Sequence, residues 1–214
     1  MKAVDLPRPD LPRDNDPSVA TILLLCLPAV LLLAAPPPPA HGAKTGQFLV
    51  AAPSSSDDDF ARTVILLVHS GDEGAIGLIV NRPTTVPLSV LFPDLKKPGV
   101  GSTLLYQGGP MRIGINGLVR SRTNPRQASE ILPGIYLVSD RSQLKKIAEM
   151  NPASVRVYVG LCGWSAAQLR NELANGLWSV ATADAGTIFD QQPASLWSRL
   201  AAKTKITGSQ PRRQ

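Results

Sequence analysis

Cysteine and histidine are nearly missing from this chain of 214 residues, which has two of each. Cys26 lies in an apolar run near the start and Cys162 far downstream, so the body of the protein has one thiol and no internal disulfide. Cysteine usage therefore does not report the redox compartment, and Cys162 reads as a small buried filler. His41 follows a proline run, which leaves His69 alone in the body. One histidine without clustered cysteines excludes the usual zinc ligand sets. The acidic triplet Asp57-Asp58-Asp59 lacks the spaced oxygens and glycine of a calcium loop. No metal and no cofactor is expected. Other absences are equally informative. There is no phosphate-cradling Walker loop, no G-x-G-x-x-G fingerprint, no aromatic RNA-binding motif and no legible helix-turn-helix. A nucleotide-hydrolysing, dinucleotide-dependent or sequence-reading role has no motif to rest on.

Acidic residues are the minority, and the formal net charge is +6. Residues 1–42 run the other way, with Lys2, Arg8 and Arg13 against Asp5, Asp10, Asp14 and Asp16. The basic excess lies downstream, partly in a tail with Lys203, Lys205, Arg212 and Arg213. Such a surface attracts anions without specificity, and a solvated tail explains most of it.

Composition divides the chain into a polar leader (1–18), an apolar segment (19–35), a proline-rich spacer (36–45), a globular domain (46–202) and a basic tail expected to be disordered (203–214). The apolar segment has Thr21 as its single polar residue. It sits at the lower edge of a membrane span and above a typical signal core. Membrane association through residues 19–35 is expected, with export or inner-membrane anchoring. A cytoplasmic product of a misassigned start stays open, because the leader is acidic. The domain is long enough to bury a core without staples.

Within the domain, residues 48–52 read as a strand ended by Pro53, and residues 64–68 as a strand buried on both faces. Gly71 to Gly74 turns into a third strand at 75–80, so this pair is antiparallel. Residues 88–92 read as a short helix. Strands are expected at 103–106, 117–120, 134–138, 155–159 and 178–182. Helices are expected at 141–150, 165–175 and around Leu196 and Leu200. Asp140 and Ser165 carry capping-box spacing. The pattern predicts an α+β fold (α/β mixed) in a single domain: a mostly antiparallel mixed sheet flanked by a few helices, unlike a doubly wound sheet.

Four blocks occur in order: Gly46-Gln47-Phe48-Leu49-Val50-Ala51-Ala52-Pro53 with Asp57, Phe60 and His69; Gly74 to Val80 ending in Asn81-Arg82-Pro83; Tyr106-Gln107-Gly108-Gly109-Pro110; and Arg156 to Gly160, then Gly163-Trp164, Gln168, Glu172 and Gly176 to Trp178. With this arrangement the chain resembles the YqgE/AlgH family (UPF0301, DUF179). It departs from the family pattern at Leu161, Cys162, Ala167 and Arg170. The resemblance implies an uncharacterised bacterial protein of a family associated with transcriptional regulation. Asp57, His69, Trp164, Gln168 and Glu172 are its further motif positions.

Two functions are in contention. The first is a non-enzymatic binding or regulatory module. Pro83 forces Arg82 into extended geometry, Asn81 bonds the turn backbone, and Arg82 projects as an anion-binding arginine would. Gly108 and Gly109 would add backbone N–H groups, giving a ligand site of Asn81, Arg82, Gly108 and Gly109 for a small anion, or for a protein partner. The second is a hydrolase of unknown class using Ser165 or His69. Gly163-Trp164-Ser165-Ala166-Ala167 has the context of a nucleophile elbow, but Ala167 stands where glycine is needed and no histidine follows. Ser165 and Gln168 read more simply as a capping box, with Trp164 and Leu169 at staple positions. No catalytic residue is assigned.

Overall fold

A computed structural model describes residues 42–55 and 57–208, with 205–208 at the end of the final helix described by backbone only. Branched and aliphatic side chains dominate the early strands, and they form the centre of the sheet. β1 (Gln47–Ala51), β2 (Val64–Gly71) and β3 (Gly74–Ile79) run as antiparallel neighbours. β10 (Trp178–Thr182) closes the outer side of β1. On the other side β3 meets β9 (Val155–Trp164), which pairs with β6 (Met111–Arg120), then β8 (Ile135–Val138) and β7 (Ser129–Leu132). β4 (Pro83–Pro87) pairs only with β5 (Leu104–Gln107), and β5 joins β9 in the single parallel pairing described. Prolines at both ends of β4 suit an edge strand, where a missing N–H costs no ladder bond.

Helices cover both faces. α4 (Pro193–Gly208) packs Leu196 and Ala201 against Phe48, Val50, Val64 and Leu66, together with Ile188 of α3 (Ala185–Ile188). α2 (Ala166–Ala174) covers Leu49, Ala51, Ile65 and Leu67 through Leu169. α1 (Arg141–Met150) covers Val119, Val155 and Val157 through Leu144 and Ala148. β2 is thus buried on both sides, and each of its aliphatic side chains contributes about 1.5–3 kcal/mol of transfer free energy. The expected α+β, mostly antiparallel, single-domain arrangement is what residues 42–208 adopt.

One backbone irregularity organises β9. Gly160 has φ +78°, and a Cβ there would lie 2.7 Å from the Met111 carbonyl oxygen and 2.8 Å from that of Gly109. Before it, Val155 and Val157 face α1 while Tyr158 faces α4. After it, the even-numbered Cys162 and Trp164 face α2. The two-residue alternation of β9 therefore breaks at Gly160, and the register with β6 shifts there too, four steps from Met111 to Ile115 facing two from Leu161 to Val159.

Several boundaries differ from the sequence reading. β6 and β9 are each longer than expected, β4, β7 and α3 were not expected, and residues 88–90 form a 3-10 turn. α4 continues to Gly208, past the expected tail start at 203. Among the described residues no helix is long and apolar enough to cross a membrane. Residues 19–35, on which the anchor or signal expectation rests, lie outside the described residues.

Candidate functional site

The Asn-Arg-Pro corner follows β3 and grips the loop that precedes β2. Asn81 is buried; its Oδ1 accepts from the Val64 N–H at 2.8 Å and its Nδ2 donates to the Arg62 carbonyl at 3.0 Å. Arg62 has φ +56°, a conformation that costs an L-residue energy unless its surroundings impose it. Arg82 donates from Nη1 to the Asp59 carbonyl at 2.7 Å, and from Nη2 to the carbonyls of Ala61 at 3.1 Å and Asp58 at 3.3 Å. The two side chains therefore act as one clamp on residues 58–64. Asp57 starts the same loop, its Oδ1 accepting from the Asp59 N–H at 2.8 Å. Among the described residues no group of acids, histidines and cysteines is arranged to hold a metal.

The clamp delivers Phe60 to an aromatic cluster. Its ring centroid lies 6.1 Å from Trp164 and 5.5 Å from Trp178, and the two indoles meet edge to face at 6.0 Å. Glu172 ties them together. Its Oε2 accepts from Trp164 Nε1 at 2.9 Å and Trp178 Nε1 at 2.7 Å, while Oε1 accepts from Gln168 Nε2 at 2.8 Å. One carboxylate satisfies both indole donors, which would otherwise be lost half-buried. Trp164, Gln168 and Glu172 are thus a single structural unit.

Gly108 and Gly109 lie beside the corner, since the Gln107 N–H donates to the Arg82 carbonyl at 2.9 Å. Their N–H groups do not open toward Arg82 as a pair. The Gly108 N–H donates to the Val159 carbonyl at 2.8 Å, and its own carbonyl accepts from Ile79 at 2.9 Å. A Cβ at Gly108 would lie 2.2 Å from the Gly160 oxygen, and one at Gly109 would lie 2.2 Å from the Leu161 carbonyl carbon. Glycine is required because two backbones touch. Cys162 is buried here, its Sγ 3.5 Å from the Gly108 carbonyl, and burial pushes its thiol up to about 12. It fills space, as expected.

The two residues named for hydrolysis stay apart in role. Ser165 Oγ accepts from the Gln168 N–H at 3.1 Å and caps α2. The capping box is only half made, because the Gln168 side chain turns to Glu172. Trp164 and Leu169 are both buried in the cluster under α2, as staple residues would be. His69 is exposed on β2, its side chain makes no hydrogen bond among the described residues, and it sits where β2 and β3 slip in register. α1 and α2 are separated by β9 and α3 is a single turn, so no helix-turn-helix pair is formed among the described residues.

A groove of about 730 Å³ next to the clamp was not foreseen from the sequence. Leu105 and Val159 line it with Val86, Val90, Leu91 and Pro110, while Asp59, Gln107 and Arg112 supply its polar groups. Val86, Val90 and Val159 remain 39%, 64% and 37% exposed. Apolar residues on an edge strand were the available signal.

Fold and clamp together define a small α+β domain on a bulged, mostly antiparallel sheet. The chain belongs to the AlgH-like family, whose model (DUF179, AlgH-like) matches residues 48–209. Relatives described as UPF0301 proteins include one from Azoarcus sp. strain BH72, 36% identical over 141 residues, which is 63% of this chain and 74% of the relative. Another, from Chlorobaculum parvum, is 32% identical over 147 residues, 65% of this chain and 75% of the relative. The solution structure of AlgH from Pseudomonas aeruginosa is similar over 84% of this chain and 100% of that one, with a TM-score of 0.64 and 26% identity. A crystal structure from Corynebacterium diphtheriae, 24% identical, shares the fold over 79% of this chain and 88% of that one, with a TM-score of 0.63. None of these descriptions states a ligand or a reaction.

Proposed function

We propose that the domain is a non-enzymatic binding module and that its ligand is an apolar segment of a partner protein, held in the groove beside the Arg82 clamp. The exposed valines of that groove carry the reading. Its volume lies in the range of ligand sites, and such sites are mostly apolar with a few polar groups. Asp59 and Arg112 give it one charge of each sign, which supports a neutral segment over a small anion. Arg82 already donates to three carbonyls, so an anion there would compete with the loop. Neither Ser165 nor His69 lines the groove, and no observation favours the hydrolase reading. A regulatory role would follow from what the partner is.

The test is selection of a random peptide library on the full chain, with Val90→Asp as counter-selection. Val90 is exposed, so the variant is expected to fold. Peptides retained by the wild type and rejected by Val90→Asp support the module. Peptides that bind both equally, or none at all, reject it. Phosphate-induced NMR shifts centred on Arg82 would favour the small anion instead.

A further inference from the structure

Three shallow hollows adjoin one another where β6 ends, and no carboxylate side chain lines any of them. Arg120 lines all three. The first, about 460 Å³, also has Thr103, Tyr106, Arg156 and Gln191 in its wall. The second, about 450 Å³, adds Ser121, Arg122, Asn151 and Ser154. Polar groups and three arginines therefore surround a surface without acidic lining.

The sheet brings the arginines together. Leu118 of β6 pairs with Arg156 of β9, so Arg120 lies two residues along on the same face. Both guanidinium groups reach Phe189, Arg120 at 4.8 Å and Arg156 at 5.6 Å from the ring centroid. Arg156 also stacks on Tyr106 at 4.8 Å. It is held in place by donation from Nη1 to the Ile188 carbonyl at 2.7 Å and from Nη2 to the Asp190 carbonyl. Two of its donors are engaged, which fixes the position of its positive charge. Arg120 is exposed, and among the described residues its side chain makes no hydrogen bond and no ion pair. Arg122 likewise has no ion pair among them; the two described join Lys145 to Asp94 and Arg199 to Asp190. Asp190 lies beside Arg156, and its carboxylate is already taken by Arg199 and by the Gln192 N–H.

Two like charges gathered on one ring repel unless an anion joins them. The planar guanidinium of Arg120 retains its donors, in the fork that matches phosphate oxygens. We infer that this face is a binding site for a small ligand carrying phosphate groups, anchored by Arg120 in the field of Arg156 and reaching Arg122. Tyr106 lines both this face and the apolar groove, but Arg120, Arg122 and Arg156 line none of that groove.

The experiment is calorimetric titration of the full chain with pyrophosphate at fixed ionic strength, with sodium chloride as the control titrant. Saturable binding is expected. Arg120→Gln should weaken it roughly tenfold or more and Arg122→Gln several-fold, with the melting temperature of each unchanged. Val90→Asp should leave it untouched, which separates this site from the groove. No saturable heat with wild-type protein, or equal binding by Arg120→Gln, overturns the inference. Salt-sensitive binding of a single-stranded oligonucleotide without binding of pyrophosphate also overturns it, in favour of a nucleic-acid backbone.

Discussion

Arg82 and Arg120 are both arginines at the end of a strand, yet their surroundings assign them opposite duties. Arg82 follows β3 and is saturated from within, its guanidinium closing on three backbone carbonyls of a neighbouring loop. Arg120 ends β6 and rests on a phenyl ring with its donors unclaimed by the described residues. A rigid arginine beside glycines suggests an anion site only while the carbonyls around it are unknown. An arginine is available to a ligand when the fold has left its hydrogen-bonding capacity unused, and here that is the less conspicuous of the two.

The largest effect should come from the backbone contact under the Arg82 corner. Gly108→Ala sets a methyl 2.2 Å from the Gly160 oxygen, and relieving that clash should cost about 3 kcal/mol in urea denaturation. A neutral result would mean that the glycine pair is not there for close approach.

The next test compares the two arginines directly. Asn81→Ala leaves the Val64 N–H and the Arg62 carbonyl without their partner and should destabilise by about 2 kcal/mol. Arg82→Gln should cost about 1.5 kcal/mol, the order of a charge-assisted bond partly exposed. Arg120→Gln should change stability by no more than about 0.5 kcal/mol. Equal losses at positions 82 and 120 would break the comparison.

The smallest effect concerns acid. Asp184 caps α3, whose Ile188 carbonyl holds Arg156. Its hydrogen bond with the Thr187 hydroxyl, followed by bonds from the Thr187 and Gly186 N–H groups, holds its carboxyl below the usual range. Because the folded value is depressed, its contribution is present above the ordinary aspartate pKa of about 3.9 and is lost as pH falls through the folded value. Asp184→Asn should shallow the loss of stability between pH 5 and the acid limit, to an extent of order a few tenths of a kcal/mol. An unchanged acid profile would remove Asp184 from the support of Arg156.

Local chemistry was the legible part of the sequence. Asp140 accepts from the Gln143 N–H at 2.7 Å and opens a helix over Arg141–Met150, because cap and helix are written within a few residues of each other. Ser165 was readable as a cap for the same reason. β2 and β3 could be paired from the short turn between them. What failed to appear depended on distance along the chain. The partners of Arg82 are carbonyls 21 to 24 residues away, and carbonyls carry no sequence signature. Arg120 and Arg156 meet only through the pairing of β6 with β9. The first half of β6 did carry a signal, apolar Met111, Ile113 and Ile115 alternating with Arg112 and Gly114, but Met111 and Ile113 are 44% and 58% exposed, so that alternation points away from the core.

Gly160 gives β9 the property of a text read in two frames. Upstream of it the odd positions face α1; downstream the even positions face the α2 side of the sheet. The left-handed glycine works as a phase shift, so the segment ending in Trp164 keeps its meaning only while the break at Gly160 is present. Deleting one residue there would slip the pairing of Cys162 to Trp164 with β3 by one step and turn Trp164 away from Phe60, Trp178 and Glu172. An alignment that slid one gap through this position would score almost as well and describe a protein whose indole pair never meets.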